Sequence, residues 1–371
     1  MSDAKVKAWW SHRQGLDGSL VGLAAAQILE KVGWARSVGG GAPYLTLFSR
    51  AGIRRAEADA ALAAVQIHEL PSARGCTYVL PRRDYALGLV VGRQFAEGET
   101  KVARKLGVAD DEITRLCGAI REALRGGALA PDGIRTAVGD AARSLGPEGV
   151  KKGITTTLPV ALGMMQVSGD IRRVPVNGRL DQQRYKYALW PENPLTDFQQ
   201  SEADCFVALA RHFFGWTGCA TTAGFQTFSG LGVKAAKVAM EPLGLELVMG
   251  EYLALPQDRA AFKAFVVPKT PQYSLVSNLD AITGQMLHGS GEKPDHSIMD
   301  RGEMVGNWQF DPVAGEIVWT STVKETAPLR EAVAMTEAFI REDLEDFRSF
   351  SLDSPKSRVP GIEALRREAN L

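Results

Sequence analysis

The sequence predicts an α+β fold, mainly helical, in which three winged helix-turn-helix motifs follow one another and a small β-rich module closes the chain. Three observations carry this. A group of helical patterns ending in a strand or strand pair recurs three times. No strand–helix–strand alternation of the kind that builds a parallel sheet is present. After residue 265 the texture changes to short β-like runs separated by glycine and aspartate turns. With 371 residues, 45% hydrophobic and 23% charged, the chain has the composition of a globular protein long enough for several units.

Taken in order, the first helical pattern starts after "DGS", where Ser19 can cap, and runs through "LVGLAAAQILEKV" to Gly33. A loop with three consecutive glycines, Gly39 to Gly41, follows. "PYLTLFSR" then predicts a short helix with Pro43 in its first turn, and "AEADAALAAVQI" a third. "RGCTYVLP" alternates and reads as a strand ending at Pro81. Long connecting helices fill the stretch from "RRDYALGLVV" to "IREALRGG".

The second round consists of "DGIRTAVGDAARSL", then "TTTLPVALGMMQVSG" opened by a threonine cap. A β-hairpin around Asn177-Gly178, the strongest two-residue turn signal, completes it. The third is "SEADCFVALARHFFGWTG" capped by Ser201, "ATTAGFQTFSGL", "GVKAAKVAMEPLG" and a strand pair through "LELVMGEYLALP". "LREAVAMTEAFIREDLEDFRSF" predicts a late helix, and the end starts as a proline-containing tail. The expected units are 1–107, 108–197, 198–265 and 266–371.

Several function classes fall away. The longest apolar stretch, "TLPVALGMMQV", is too short to span a bilayer, and the N-terminus has no apolar signal-peptide core. Four scattered cysteines without C-x-x-C spacing fit a reduced cytoplasmic protein rather than a disulfide framework or zinc site. Five histidines, His12, His68, His212, His288 and His296, form no i,i+4 pair, so no metal is expected. The glycine loop lacks the lysine of a phosphate loop and the spacing of a dinucleotide fingerprint, so no nucleotide cofactor is expected either. It reads as a backbone contact to nucleic acid or as a plain turn.

Charge decides the expected partner. Overall the chain is formally neutral, so nucleic-acid binding has to come from local patches. From Lys151 to Trp190 there are seven basic residues (Lys151, Lys152, Arg172, Arg173, Arg179, Arg184 and Lys186) against Asp170 and Asp181. A basic hairpin after a helix N-terminus is how a winged helix meets phosphate; an ordinary solvated hairpin has the same charge. Arg36, Arg50 and Arg74 are the matching candidates in the first unit.

Specific strings then gain meaning. "APYLTLFSR", the later "ARGCTYVLPRRDYAL", "GCATTAGF" and "MDRGEMVGNW" resemble the successive motifs of the tandem winged-helix family. That family contains the alkylpurine and interstrand-crosslink DNA glycosylases of the AlkZ and YcaQ type. The resemblance implies a duplex-binding concavity and a monofunctional glycosylase reaction, in which two glutamine-type residues orient water at the glycosidic carbon. N-alkylation makes the base a cationic leaving group, so orienting water and stabilising oxocarbenium-like charge matter most. The implied partner is double-stranded DNA, alkylated or crosslinked, bound by a monomer with no membrane involvement.

The chain departs from that pattern at its centre. Aligning "VGWARSVGGGAPYL" puts Ala35 and Ser37 at the two glutamine positions, with Arg36 between them. Alanine cannot orient water, and serine reaches less far than an amide. The only replacement constellation in the first unit is Gln66 and His68 in "QIH". They would face apart on a helix end and together on a strand. Asp280 in "NLDAI" matches a family position and otherwise reads as a turn or cap. Three readings result: a DNA-binding relative without the usual pair, an active glycosylase using Ser37, Gln66 or His68, and a protein-interaction scaffold.

Overall fold

A computed structural model describes residues 2–181, 184–281 and 296–369; His288 lies outside the described residues. The chain opens with helix α1 (Ser2–Arg13), followed by α2 (Ala25–Val32), which buries Ile28, Leu29 and Val32. Helix α2 starts five residues later than the Ser19 cap predicts. The Ser19 amide is taken by Asp17 Oδ1 at 3.1 Å, a local turn that competes with helix. The first turn of α2 is closed by Gln27, whose Oε1 accepts from the Ala24 N–H at 3.0 Å.

Strand β1 (Ala35–Arg36) leads into α3 (Ala42–Ala51), with Pro43 in its first turn as expected. Helix α4 (Arg55–Ala63) ends before "VQI", because Val65 takes φ +55° and turns the chain into strand β2 (Ile67–Pro71). Strand β3 (Thr77–Pro81) completes an antiparallel sheet of order β1–β3–β2. Register places Ala35 and Glu69 beside Val79, and Arg36 and Leu70 beside Tyr78. Alternation sends these two sets to opposite faces.

Helices α5 (Tyr85–Lys105), α6 (Asp110–Leu124) and α7 (Pro131–Val138), then α8 (Gly146–Lys151) and α9 (Leu158–Val167), lead to the second hairpin. Thr157 does not cap α9. It is fully buried, and its hydroxyl accepts from the Arg143 N–H at 3.1 Å. Strands β4 (Ile171–Pro175) and β5 (Tyr185–Leu189) pair antiparallel. Asn177-Gly178 lies inside the longer connection from 176 to 184 rather than forming a two-residue turn, because the ladder closes at Pro175–Tyr185. Leu180 in that connection is fully buried, and its N–H donates to the Tyr44 hydroxyl at 2.8 Å. Tertiary docking of Leu180 therefore sets the loop.

The third group comprises α10 (Glu202–Thr217), α11 (Thr222–Ser229) and α12 (Val233–Met240), then β6 (Glu246–Met249) and β7 (Tyr252–Ala254). Ser201 caps α10 as expected, its hydroxyl accepting from the Asp204 N–H at 3.1 Å. Helix α13 (Pro256–Ala264) precedes a four-stranded antiparallel sheet of β8 (Tyr273–Val276), β9 (Ser297–Asp300), β10 (Glu303–Asp311) and β11 (Glu316–Ser321). Helix α14 (Ala327–Phe339) follows, and the expected tail is helix α15 (Pro355–Ala369) instead. Packing decides that end. Arg358 is buried against Asp346 at 2.8 Å, and Ile362 and Leu365 pack with Val318.

The β1–β3–β2 sheet is shared between two cores. One face gives Ala35, Ile67 and Val79 to a cluster that also holds Leu180, Trp308 and Phe339, joining the first unit to the C-terminal sheet. The other gives Trp34, Leu70, Tyr78 and Leu80 to a cluster with α5 and α10–α12. The three glycines serve the first core. All of Gly39 to Gly41 are buried, and the Gly41 N–H donates to the Arg348 carbonyl at 2.9 Å. A Cβ at Gly40 would stand 2.6 Å from the Ser349 carbonyl oxygen. The loop is a seat for the segment at 347–349, which corrects its reading as a nucleic-acid contact.

Candidate nucleic-acid interface

The candidate site is built around β1, where a single strand exposes different chemistry on its two sides. Ala35 is 4% exposed within the hydrophobic core, and Ser37 is 2% exposed. The Ser37 hydroxyl donates to a carboxylate oxygen of Glu69 in a short hydrogen bond. Burial pushes the Glu69 carboxyl above its ordinary range, while that hydrogen bond and the nearby Arg173 pull it back. Glu69 was not singled out by the sequence, since it lies between His68 and Leu70 in a strand disguised as a helix end. The β-pairing signal of "HELP" beside "TYVLP" was the available clue.

On the other side of β1, Arg36 borders a cavity of about 460 Å³. Its walls include Trp34, Tyr78, Trp216 and Phe228, with Arg74 at the edge. Gly33, at φ +104°, lets the chain pass against the Trp216 ring, where a Cβ would stand 3.0 Å away. The rings brace one another, with Trp34 and Trp216 centroids 5.5 Å apart and Tyr78 and Phe228 6.1 Å apart. Burial pushes the Tyr78 hydroxyl above its usual value, with Arg74 and Arg36 close enough to oppose the shift. Arg74 itself has φ +58° and donates from Nη1 to the Thr227 carbonyl at 3.1 Å.

The other candidates separate. Gln66 is exposed, whereas His68 is 1% exposed, edge-on to Trp190 at 5.1 Å. Burial, with Arg172 nearby, pulls His68 down to about 3. The two side chains therefore do not form a water-positioning pair, although His68 does lie on a strand. Arg50 is not a surface contact. Its side chain is fully buried, and it forms a bidentate pair with Asp280 at 2.9 and 2.8 Å. Its helix presents that face to the core, and Asp280 is the ion's partner rather than a simple cap.

Arg172 and Arg173 are half-buried on β4. Their guanidinium groups lie over Trp190 at 5.7 Å and Tyr185 at 4.4 Å. Arg179 is committed to Asp181 and donates to the Leu344 carbonyl at 3.3 Å. Arg184, Lys151 and Lys152 are exposed, with Lys151 paired to Glu148 at 2.6 Å. The basic second hairpin is thus partly folded onto the first unit, and its outer charges are fewer than the sequence count. Among the described residues no group of three His, Cys, Asp or Glu could hold a metal ion, and no helix is long and apolar enough to cross a membrane.

Helical groups ending in small sheets, arranged around the short strand Ala35–Arg36 and the adjoining Ser37, define the class. The chain belongs to the AlkZ-like DNA glycosylase family, whose model matches residues 20–283. Among solved structures it is similar to the DNA glycosylase AlkZ of Streptomyces sahachiroi. The TM-score is 0.69 at 16% identity, over 94% of this chain and 98% of that one. No curated protein matches the chain.

Proposed function

We propose that this chain is a DNA-binding relative of the family's glycosylases. Its units 1–107, 108–197 and 198–265 would act as winged helices on duplex or damaged DNA, and 266–371 as the closing module. The observation that carries the reading is the burial of both residues at the expected glutamine positions. Ala35 has no polar group, and the Ser37 hydroxyl is already given to Glu69. Without an amide aimed at the glycosidic carbon, water positioning is lost while the scaffold is kept.

Contact to phosphate falls to Lys151, Lys152 and Arg184, with Arg172 and Arg173 reaching from the hairpin edge. Each phosphate neutralised adds about −0.9 to the slope of log affinity against log salt. Duplex affinity measured between low and moderate salt is expected to fall steeply. Arg184→Ala and Lys152→Ala are each expected to flatten the slope by about one contact. A salt-insensitive affinity overturns the assignment of the hairpin.

A second reading rests on one observation, the Ser37–Glu69 pair. A carboxylate with a raised proton affinity could take a proton from water as that water adds to C1′ and an N-alkylated base departs. Base release from duplex containing N7-methylguanine decides between the two. Release that is lost in Glu69→Gln and Ser37→Ala establishes the second reading; no release with intact binding supports the first.

A further inference from the structure

We infer that a second groove, between the first unit and the linker that precedes α10, docks a proline-rich polypeptide segment bearing a basic residue. Its volume is about 570 Å³, within the roughly 300–1,000 Å³ of ligand-binding clefts. Such a protein partner is additional to DNA and does not depend on it.

The groove is walled by flat apolar groups. Tyr85, Trp190 and Phe198 line it together with Pro191, Pro194 and Val65. The Tyr85 and Trp190 rings brace each other, with centroids 5.5 Å apart. Their polar tips are already engaged. The Tyr85 hydroxyl donates to the Val65 carbonyl at 3.0 Å, and Trp190 Nε1 donates to the Ile171 carbonyl at 3.1 Å. Val65 reaches this wall through a backbone φ of +55°, which is rare for a β-branched side chain. Strain of this kind persists only where the surroundings fix it, and it clusters at ligand clamps.

The backbone of the linker selects the conformation of what docks. Pro191 and Pro194 have no N–H, and three further donors are spent within the linker's own turns. The Leu195 N–H donates to Asn193 Oδ1 at 2.8 Å, the Thr196 N–H to the Asn193 carbonyl at 3.0 Å, and the Phe198 N–H to the Leu195 carbonyl at 3.2 Å. An added β-strand therefore finds few partners on this bank. A polyproline II segment needs no ladder, because its backbone stays hydrated and its pyrrolidine rings pack on aromatic faces. It is also preformed, so little conformational freedom is lost on docking.

Charge fixes the flank. Glu192 and Asp197 stand exposed on the linker side, and Arg82 on the side of the first unit. None of the three has an ion-pair partner among the described residues, whereas the neighbouring Arg83 faces Glu30 at 3.3 Å. Two free carboxylates against one free guanidinium disfavour phosphate. They attract a lysine or arginine beside the prolines, and Arg82 supplies donors for the carbonyls that a polyproline helix leaves open.

The test is the fluorescence anisotropy of a rhodamine-labelled peptide of five prolines followed by one arginine, titrated with the full chain. Saturation below about 1 mM is expected. Replacing the prolines by alanines, or the arginine by glutamate, should each weaken binding about tenfold. Arg82→Ala should weaken the arginine peptide about fivefold. The exposed double variant Glu192→Lys, Asp197→Lys should weaken that peptide about tenfold and bind the glutamate peptide about tenfold more tightly than the wild-type chain does. This exchange of preference needs a folded groove, so it separates lost recognition from lost structure.

No saturation up to about 1 mM overturns the assignment, as does equal affinity for the alanine peptide or an unchanged preference in the double variant. Displacement of the peptide by duplex DNA would give the groove to nucleic acid instead. Concentration-dependent dimerisation that the double variant abolishes would give it to a second copy of this chain. Either of these results also overturns the assignment.

Discussion

Removing Asp280 should unfold this protein more readily than removing any surface ion pair. The Arg50 side chain is 0% exposed and that of Asp280 1%, and the two meet through both guanidinium nitrogens. In Asp280→Ala the guanidinium keeps neutral acceptors only: the Thr46 carbonyl at 3.2 Å, Ser49 Oγ at 3.1 Å and Gln14 Oε1 at 3.0 Å. A buried charge stripped of its counter-ion typically costs 3–5 kcal/mol. Because three neutral acceptors remain, about 3 kcal/mol is expected. Arg50→Met should cost a similar amount by stranding the carboxylate. The double variant should recover a large part of the sum, giving a coupling of about 2 kcal/mol in a guanidinium unfolding cycle. Additive losses, or a loss below about 1 kcal/mol for Asp280→Ala, would refute the view that this pair is a dry structural ion. In the same variants the salt slope of DNA binding should stay at its wild-type value, since Arg50 reaches no phosphate.

Gly40→Ala should be destabilising by about 1–3 kcal/mol in the same denaturation assay, because the new Cβ meets backbone at 348–349 that cannot rotate away; a neutral result would show that the loop does not seat that segment. Burial holds His68 and His296 each down at about 3, against 6.5 unfolded. The unfolded chain therefore binds more protons below pH 6.5, and stability falls as pH falls. Between pH 6.5 and 5.5 the two histidines together remove about 2 kcal/mol. Substituting His68→Phe should reduce the pH slope of the denaturation midpoint by about half of that; an unchanged slope would mean the ring is charged in the fold. Leu180→Ala should cost about 2–5 kcal/mol by opening the core beneath the second hairpin, and thermal unfolding of the full chain checks it.

Much of the architecture was legible because it rests on local rules. Helix α10 starts where Ser201 caps it, α3 has Pro43 in its first turn, and strand β3 ends at Pro81, as short-range chemistry dictates. Two of the displaced features share a cause: a group expected to act locally was claimed by tertiary contacts. Thr157 serves Arg143 rather than its own helix, and the Asn177-Gly178 turn yields to the docking of Leu180. Val65 ends α4 through a backbone angle that no composition announces. Without that kink, Glu69 had no strand to stand on and stayed unseen.

By itself, the sequence determined the family and the order of most helices and hairpins, and it placed Ala35 and Ser37 where the resemblance expects two glutamines. These are properties of spacing and residue type, and they survive without knowing what touches what. Tertiary structure alone decided which charges face water. Arg50 and Arg74 look alike in the chain; one is locked to Asp280 across 230 residues of separation, and the other stands at the rim of a cavity. It also decided which side of β1 each residue occupies, putting Ser37 against Glu69 and Arg36 among aromatic rings. An ion pair, a cavity wall and a buried hydroxyl are made by groups far apart in sequence, so their chemistry exists only once the chain has closed on itself.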